Sequence, residues 1–248
     1  MAAVVPPERA EIARGLMLEL FPEGFEERET GDGLELVAYT DAGGEERLWA
    51  AFGTVSASAV PADWPQRWRA FHRPVRVGPL WVGPPWEERP PDGTAVVIDP
   101  GRAFGTGGHP TTRLCLGLLL EVELGSLVDV GCGSGVVAIA AARLGFDPVV
   151  AIDLDPAAID ATERNARANR VTLDLRRSDA VADDVPSTDV AVVNVSARFV
   201  REVVTRLHAR ELIASGYLAS EPSLLPGFRH CERRVDEGWA ADLFRAEG

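Results

Sequence analysis

From Thr94 onward, short apolar runs alternate along the chain with longer stretches whose apolar positions recur at helical spacing. Continuously apolar runs are typical of strands buried on both faces of a sheet. The alternation predicts an α/β fold in which helices cover both faces of a parallel sheet. The predicted elements, in chain order, are Ala95–Ile98, Thr111–Leu120, Leu127–Val130, Val136–Leu144, Pro148–Ile152, Pro156–Asn169, Thr172–Arg176, Val190–Asn194 and Val200–Ala209, then weaker strands at Tyr217–Ser220 and Ala240–Phe244.

Residues 1–62 carry a different pattern, which predicts a small α+β domain in front of the α/β region. Apolar residues recur at helical spacing over Pro6–Phe21. The alternating segment Gly33–Thr40 predicts a strand, and a weaker strand is expected near Phe25–Glu29. The pattern over Leu48–Val60 fits neither period well, so its structure stays ambiguous.

A connecting segment is expected between these two regions. Asp63 is placed to cap a short helix whose aromatic residues share one face, which predicts that this helix docks on the next domain. The stretch Pro74–Pro91 is rich in proline and glycine and predicts an extended or turn-rich connection. We therefore expect a small α+β domain at 1–62, a linker helix and proline-rich connection at 63–94, and the α/β domain at 95–248.

One motif carries most of the chemical information in this chain. The run VDVGCGSG at Val128–Gly135 reads as a buried strand, a glycine-rich turn and the start of a helix. Gly131, Gly133 and Gly135 allow a tight turn and let a ligand approach the backbone closely. Asp153 ends the next predicted strand, where a carboxylate can accept hydrogen bonds from a ribose diol. The motif predicts a nucleotide-type cofactor site.

The spacing of the glycines distinguishes between two such cofactors. The dinucleotide motif is G-x-G-x-x-G, whereas this chain has G-x-G-x-G with Asp129 two residues before the first glycine. A carboxylate suits the amino group of S-adenosylmethionine and opposes a pyrophosphate. Asp129 therefore favours S-adenosylmethionine, and an NAD-dependent oxidoreductase is the alternative from a different enzyme class.

Composition and charge exclude several other classes. The 248-residue chain has a formal net charge of −13, which argues against direct nucleic-acid binding and suits a basic macromolecular partner. No apolar run is long enough for a membrane helix, and we expect a cytoplasmic monomer. Cys115, Cys132 and Cys231 have no metal-binding spacing, so we expect buried thiols and no metal.

Several longer motifs together point to a known family. The segment IDPGRAFGTGGHPTT (Ile98–Thr112), followed by VDVGCGSG, AIDLDP and VVNVSA (Val192–Ala197), resembles the methyltransferases of large-subunit ribosomal protein eleven. Trp64–Glu87 is similar to that family's segment between its domains. The resemblance implies a Rossmann-like seven-stranded class I methyltransferase domain behind a small substrate-recognition domain. It also implies methyl transfer from S-adenosylmethionine to the N-terminal α-amine and lysine side chains of that ribosomal protein.

By position, the family's cofactor contacts fall on four residues, and each also has a chemical reason to be there. Thr112 offers a hydroxyl near the methionine end of the cofactor, Gly131 gives backbone access, and Asp153 suits the ribose. Asn194 ends a predicted strand, and its amide oxygen can accept a hydrogen bond from a substrate amine, which makes it our candidate catalytic residue. Asp179 either contacts the adenine amino group or caps the turn that follows it.

The segment before Thr112 is expected to form a lid over the cofactor. The lid residues are Phe104, Gly105, Thr106 and Gly107. We expect the nearby His109 to be hydrogen-bonded within its own loop rather than to act as a base.

The chain also departs from the family. Its N-terminal domain is short, and Pro222 and Pro226 predict that the helix usually found after Ser220 is trimmed or lost. Both departures concern the substrate more than the reaction. Lysines of another protein and a small amine therefore remain alternative substrates, and a binding module without activity remains an alternative function.

Overall fold

Strand pairing organises the part of the chain that the computed structural model describes, residues 1–21, 25–31, 33–38, 42–56, 72–99, 107–221 and 224–247. The chain divides into two units, Met1–Trp68 and Arg69–Gly248. The helix predicted from Asp63 and the boundary predicted at residue 62 lie outside the described residues. None of the described helices combines the length and the apolar character needed to cross a bilayer.

The first unit has the predicted α+β composition. Its three-stranded antiparallel sheet has the order β1-β3-β2, and residues such as Met17, Leu36 and Leu48 form its core. The sequence pattern did not reveal β1 or the first part of α2, whose two glycines lower the helix propensity, and the end of α2 lies in the segment Leu48–Val60 that was left ambiguous. The elements are β1 (Ala2–Val5), α1 (Ala10–Leu20), β2 (Glu26–Thr30), β3 (Gly33–Val37) and α2 (Ala42–Phe52).

The second unit contains a seven-stranded and a three-stranded sheet. Its strands are β4 (Val75–Val77), β5 (Leu80–Gly83), β6 (Thr94–Val97), β7 (Leu127–Val130), β8 (Val149–Asp153), β9 (Asp174–Arg177), β10 (Thr188–Asn194), β11 (Ala209–Leu218), β12 (Phe228–Asp236) and β13 (Trp239–Ala246). Its helices are α3 (Pro110–Leu119), α4 (Val136–Leu144), α5 (Pro156–Asn169) and α6 (Ala197–Val203).

The larger sheet confirms the α/β prediction and the expected seven strands. Its strand order is β12-β13-β11-β10-β7-β8-β9. The five adjacent strands β11, β10, β7, β8 and β9 run parallel, whereas β13 runs antiparallel to both its neighbours, β11 and β12. Successive residues of each strand point to opposite faces. Leu127 thus packs in one core layer with α3 and α4, and Val128 packs in the other with α6.

The proline-rich connection holds regular structure that the sequence pattern did not predict. The segment predicted as an extended connection contains β4 and β5, and β5 pairs with β6 in the three-stranded sheet. The strand predicted at Ala95–Ile98 therefore belongs to this separate sheet rather than to the larger one. Apolar periodicity reports that a strand is buried and carries no information about which strand pairs with it.

The C-terminal part needs a larger correction. The helix predicted to run from Val200 to Ala209 ends at Val203 and passes into a short 3-10 turn, and β11 then begins at Ala209. The pattern also missed β12, since this strand lies at the edge of the sheet and is largely polar. Cys231 is exposed rather than buried because it is the extra residue of a β-bulge in β12.

A buried polar cluster stabilises the edge of the sheet. Asp242 of β13 is 0% exposed, and its carboxylate accepts a two-pronged pair of hydrogen bonds from Arg233, both at 2.9 Å. The Tyr217 hydroxyl and the Nε2 of His230 each lie 2.7 Å from the same carboxylate. Burial alone would raise the pKa of Asp242, but these hydrogen bonds outweigh it and hold the pKa below its ordinary value.

The same arginine fixes the connection between β11 and β12. Its guanidinium donates to the carbonyl oxygens of Ala219 and Glu221 at 2.9 and 3.0 Å. The described residues of this connection form turns and no helix, which agrees with the expected loss of the helix after Ser220; Pro222 itself lies outside the described residues. Arg233 therefore holds the described residues that directly follow β11.

Replacing Asp242 by alanine should lower the free energy of unfolding by about 3–5 kcal/mol, because it leaves Arg233 and its neighbours without their buried acceptor. In the wild-type protein, the stability that Asp242 contributes is present above its ordinary pKa and is lost as the pH falls through the lower folded pKa. Urea unfolding at several pH values measures both effects. The control is Asp174→Ala, which breaks an exposed pair with Arg176; equal losses in the two variants would contradict the prediction.

Candidate functional site

The carboxyl ends of three adjacent strands form the candidate site. In the central strand β7, Val130 pairs with Ile152 of β8 and with Val193 of β10. The chain passes from β7 to β8 on one side and returns to β10 on the other, which makes this the topological switch point where ligands bind in such sheets. One residue further along each strand lie Asp153, which ends β8, Gly131, which directly follows β7, and Asn194, which ends β10. We call these three residues the row at the end of the sheet.

A tight glycine turn follows β7 and is fastened to β8. The N–H groups of Gly131 and Cys132 both donate to the carbonyl oxygen of Ile152, at 2.8 and 3.0 Å. Gly131 has a φ of 77°, and a Cβ built on it would lie 2.3 Å from the side chain of Val195. No other residue fits there without moving its neighbours. Gly133 and Gly135 share the left-handed conformation.

Asp153 ends β8 and holds the glycine turn through its side chain. One carboxylate oxygen accepts a 2.9 Å hydrogen bond from the N–H of Gly133, and the other accepts one of 3.0 Å from the N–H of Asp155. The side chain is partly exposed. Each oxygen of an ionised carboxylate can accept more than one hydrogen bond. Asp153 thus has a fixed orientation and spare acceptor capacity toward a diol.

Asp129 lies beneath the glycine turn, and it is 2% exposed. Its carboxylate accepts a 3.1 Å hydrogen bond from the N–H of Ala138 in α4. Burial raises the pKa of Asp129 to about 7, with a further contribution from the negative charge of Asp153 and an opposing one from the Ala138 hydrogen bond. The carboxyl is therefore poised to change its charge near neutral pH.

Thr112 lies in the first turn of α3, a helix that packs against α4. Its side chain is 1% exposed, and its hydroxyl has no hydrogen-bond partner in the part of the chain that the structure describes. A buried hydroxyl without a partner costs free energy, so it calls for an explanation such as a bound ligand.

His109 is the N-cap residue of the same helix. Its Nδ1 lies 2.8 Å from the Thr111 hydroxyl and accepts the Thr111 N–H at 3.3 Å. Burial, followed by the charge of Arg113, lowers the pKa of His109. The expectation that this histidine is hydrogen-bonded within its own loop is confirmed.

Asn194 ends β10 beside Gly131. Its side chain is partly exposed and makes no hydrogen bond with any residue that the structure describes. The next residue, Val195, is 45% exposed and covers the glycine turn. Asn194 thus presents an amide that has no partner among the described residues, next to an exposed apolar side chain.

The remaining predicted residues divide into two groups. Asp179 lies at the same edge, because the N–H of Ser178 donates to the carbonyl oxygen of Asp153 at 3.0 Å. Its carboxylate accepts the N–H of Val181 at 3.0 Å, so the side chain caps the turn that follows it, while its contact with adenine stays a prediction. Of the expected lid, Phe104, Gly105 and Thr106 lie outside the described residues. Gly107 packs within reach of α4, since a Cβ on it would lie 3.8 Å from the Val136 side chain.

Sequence reasoning missed a polar stripe on α5 that supports the site. The Thr162 hydroxyl donates to the carbonyl oxygen of Gly133 at 3.0 Å. The Asn165 side chain donates to the carbonyl oxygen of Ser134 at 2.9 Å and accepts the N–H of Asp99 at 3.0 Å. The spacing of the stripe in ATERNARAN was a signal that could have revealed it, since polar residues on the buried face of a helix need partners.

The geometry defines a class of protein. A parallel sheet with a glycine turn, a helix start and an acidic strand end at its switch point is a Rossmann-like fold, and nucleotide-type ligands bind at this point in such folds. An L11 methylase structure from Lactobacillus delbrueckii subsp. bulgaricus matches with a TM-score of 0.64 and 28% identity, covering 71% of this chain and 100% of that one. The fold is that of the class I methyltransferases.

The family follows from sequence comparison. The profile of the family described as "Ribosomal protein L11 methyltransferase (PrmA)" matches residues 32–241. A ribosomal protein L11 methyltransferase from Pelobacter propionicus is 38% identical over 205 residues, 74% of this chain and 66% of that protein. One from Symbiobacterium thermophilum is 41% identical over 203 residues, 73% of this chain and 65% of that protein. The chain belongs to this family, and its matched part spans about two thirds of these relatives.

Replacing Asn165 by alanine should lower the free energy of unfolding by about 2 kcal/mol, because it removes one buried hydrogen bond to the glycine turn and one partly buried hydrogen bond to Asp99, just after β6. It should also speed amide hydrogen exchange in the turn. Glu163→Ala is the matched control, since Glu163 lies on the exposed side of the same helix and pairs with Arg167. Exchange rates in the turn that match those of the control would contradict the role given to Asn165.

Proposed function

We propose that this protein is an S-adenosylmethionine-dependent methyltransferase that acts on amino groups of ribosomal protein L11, its N-terminal α-amine and its lysine side chains. One observation carries the proposal. The family profile matches residues 32–241, and within that range the row of Asp153, Gly131 and Asn194 lies at the switch point of the sheet.

The described residues fit this cofactor. Thr112 has a buried hydroxyl whose missing partner a ligand would supply. The partly exposed carboxylate of Asp153 retains acceptor capacity for a ribose diol, and Asp129 offers a negative charge to an ammonium group. Gly131 and its neighbouring glycines keep side chains out of the turn. We assign the cofactor to these residues, with Asp179 and the segment Phe104–Gly107 at its edges.

Asn194 and Val195 define the acceptor side of the site. The bound cofactor supplies an electrophilic methyl group on a sulfonium. An ammonium has no lone pair to attack with, so a lysine with an ordinary pKa of about 10.4 must first lose a proton. In our proposal the Asn194 amide oxygen accepts a hydrogen bond from the neutral amine and orients its lone pair, while water takes the proton. Val195 and the glycine turn limit access of bulk water.

The charge of the protein is compatible with a basic substrate. The net charge is −13, and the amino groups to be methylated are positively charged until they lose a proton. The negative protein therefore attracts such a substrate. Family membership favours the methyl donor over the nicotinamide dinucleotide that the glycine turn alone left open. The remaining choice is between ribosomal protein L11, lysines of another protein and a small amine, and experiment can separate them.

Incubation with S-adenosylmethionine and unmethylated ribosomal protein L11 from the same organism should increase the intact mass of L11 in steps of one methyl group. Asp153→Ala should reduce the rate at least about tenfold, since it removes the acceptor for the ribose and loosens the turn. Asp160→Ala, on the exposed face of α5, is the control. In the same assay Asn194→Ala should slow methylation by more than any accompanying loss of cofactor affinity accounts for.

Three other outcomes of this experiment would each contradict one part of the proposal. Cofactor binding without any gain in the mass of L11 would discard this substrate and direct the search to other basic proteins and small amines. An absence of cofactor binding would discard the methyltransferase proposal itself. An unchanged rate in Asn194→Ala would remove Asn194 from the acceptor side.

The affinity for S-adenosylmethionine should rise as the pH increases from about 6 to about 7.5. The pKa of Asp129 is about 7 in the free protein, and only the ionised carboxylate attracts the ligand's ammonium. Binding should therefore release protons at the lower pH. Calorimetry in buffers of different ionisation enthalpy measures both quantities, and Asp129→Asn should remove the pH dependence. A wild-type affinity that does not change over this range would contradict the role of Asp129.

A further inference from the structure

Arg113 connects the start of α3 to the hairpin between β12 and β13. Its guanidinium donates to Asp236 through Nε at 3.0 Å and through a terminal nitrogen at 2.6 Å. It also lies 2.8 Å from the carboxylate of Glu237 and donates to the carbonyl oxygen of Gly108. The side chain is 25% exposed, so these contacts are partly shielded from solvent. One planar guanidinium thus joins a backbone carbonyl to two carboxylates.

The segment that Arg113 holds lies directly before the residues of the candidate site. Gly108 lies between Gly107, which packs against Val82 of β5, and His109, which caps α3. The His109 ring also meets the ring of Trp239 edge-to-face, with centroids 4.9 Å apart. The hairpin therefore contacts this segment through an ion pair and an aromatic pair.

A second arginine links the same two elements at the opposite end of the helix. Arg234 of β12 pairs with Glu121, just beyond the end of α3, and with Glu232. Its side chain is 29% exposed, close to the value for Arg113. The two arginines thus make comparable ion pairs between α3 and β12. They differ in that only Arg113 contacts the backbone of the segment before the candidate site.

We infer that Arg113 and the hairpin turn at Asp236–Glu237 are a positioning device for the cofactor site, in addition to joining helix and sheet. By its hydrogen bond to Gly108, Arg113 fixes the backbone that leads into α3. Thr112 directly precedes Arg113 in the first turn of this helix. Displacement of this backbone moves the Thr112 hydroxyl and the first turn of the helix. This inference rests on the proposed binding of S-adenosylmethionine, with Thr112 as one of its contacts.

Calorimetric titration of the full chain with S-adenosylmethionine, combined with urea unfolding, tests the inference. Arg113→Ala should raise the Kd about tenfold, the effect of losing a charged hydrogen bond that positions a contact. Arg234→Ala should leave the Kd unchanged within about twofold. Both variants should lose a similar amount of stability. Arg113→Lys should restore the affinity only in part, because one ammonium cannot reproduce the planar fork.

A second variant covers the case in which Arg113→Ala does not fold. Asp236→Asn removes a partly exposed charge with almost no change of shape, and it should also weaken cofactor binding. In a double-mutant cycle, the effects of Asp236→Asn and Arg113→Ala on the Kd should not add, because both variants break the same pair.

The outcomes distinguish this inference from the proposed function. A weakened Kd in Arg113→Ala with an unchanged one in Arg234→Ala supports the positioning role. Equal Kd changes in the two variants, or none in either, would overturn it while the proposed function stands. If the wild-type protein does not bind S-adenosylmethionine, the proposed function and this inference fail together.

Discussion

The attachment of the glycine turn to β8 is the constraint on which the rest of the site depends. Gly131 and Cys132 share the carbonyl oxygen of Ile152, and Gly133 donates to Asp153, so the turn follows the end of the neighbouring strand. This attachment directs the first turn of α4 over the switch point and aligns the functional side chains of three strands. Because its glycines have no Cβ, the turn leaves its backbone accessible while packing tightly against its neighbours.

The second unit contains polar side chains whose hydrogen bonds are satisfied and polar side chains that have no partner among the described residues. Asp242 is fully buried, and its carboxylate is surrounded by donors, as expected of a group that stabilises the fold. Thr112 and Asn194 have side chains without hydrogen-bond partners among the described residues, the first at the start of α3 and the second at the end of β10. Both residues belong to the set to which we assign the ligand, and free hydrogen-bonding capacity suits them to that role.

The edge of the sheet shows how the chain supports the site with short connections. Arg233 fixes the loop between β11 and β12, and Arg113 connects the hairpin after β12 to the segment before α3. Both are arginines that join carboxylates to backbone carbonyl oxygens, a task for which a planar guanidinium with several donors is suited. The antiparallel edge of the sheet is thereby tied to the parallel centre that carries the switch point.

The sequence alone determined the parallel core, the glycine turn and the acidic strand end, because burial on both faces and left-handed glycines leave marks at fixed spacing. It did not reveal β12, the sheet to which β6 belongs, or the exposure of Cys231. These depend on strand partners and on a bulge, and local patterns do not record partners distant in the chain. The roles of Asn165 and Arg113 were likewise decided only by the tertiary structure, since each polar side chain acquires its function from the backbone that folding places beside it.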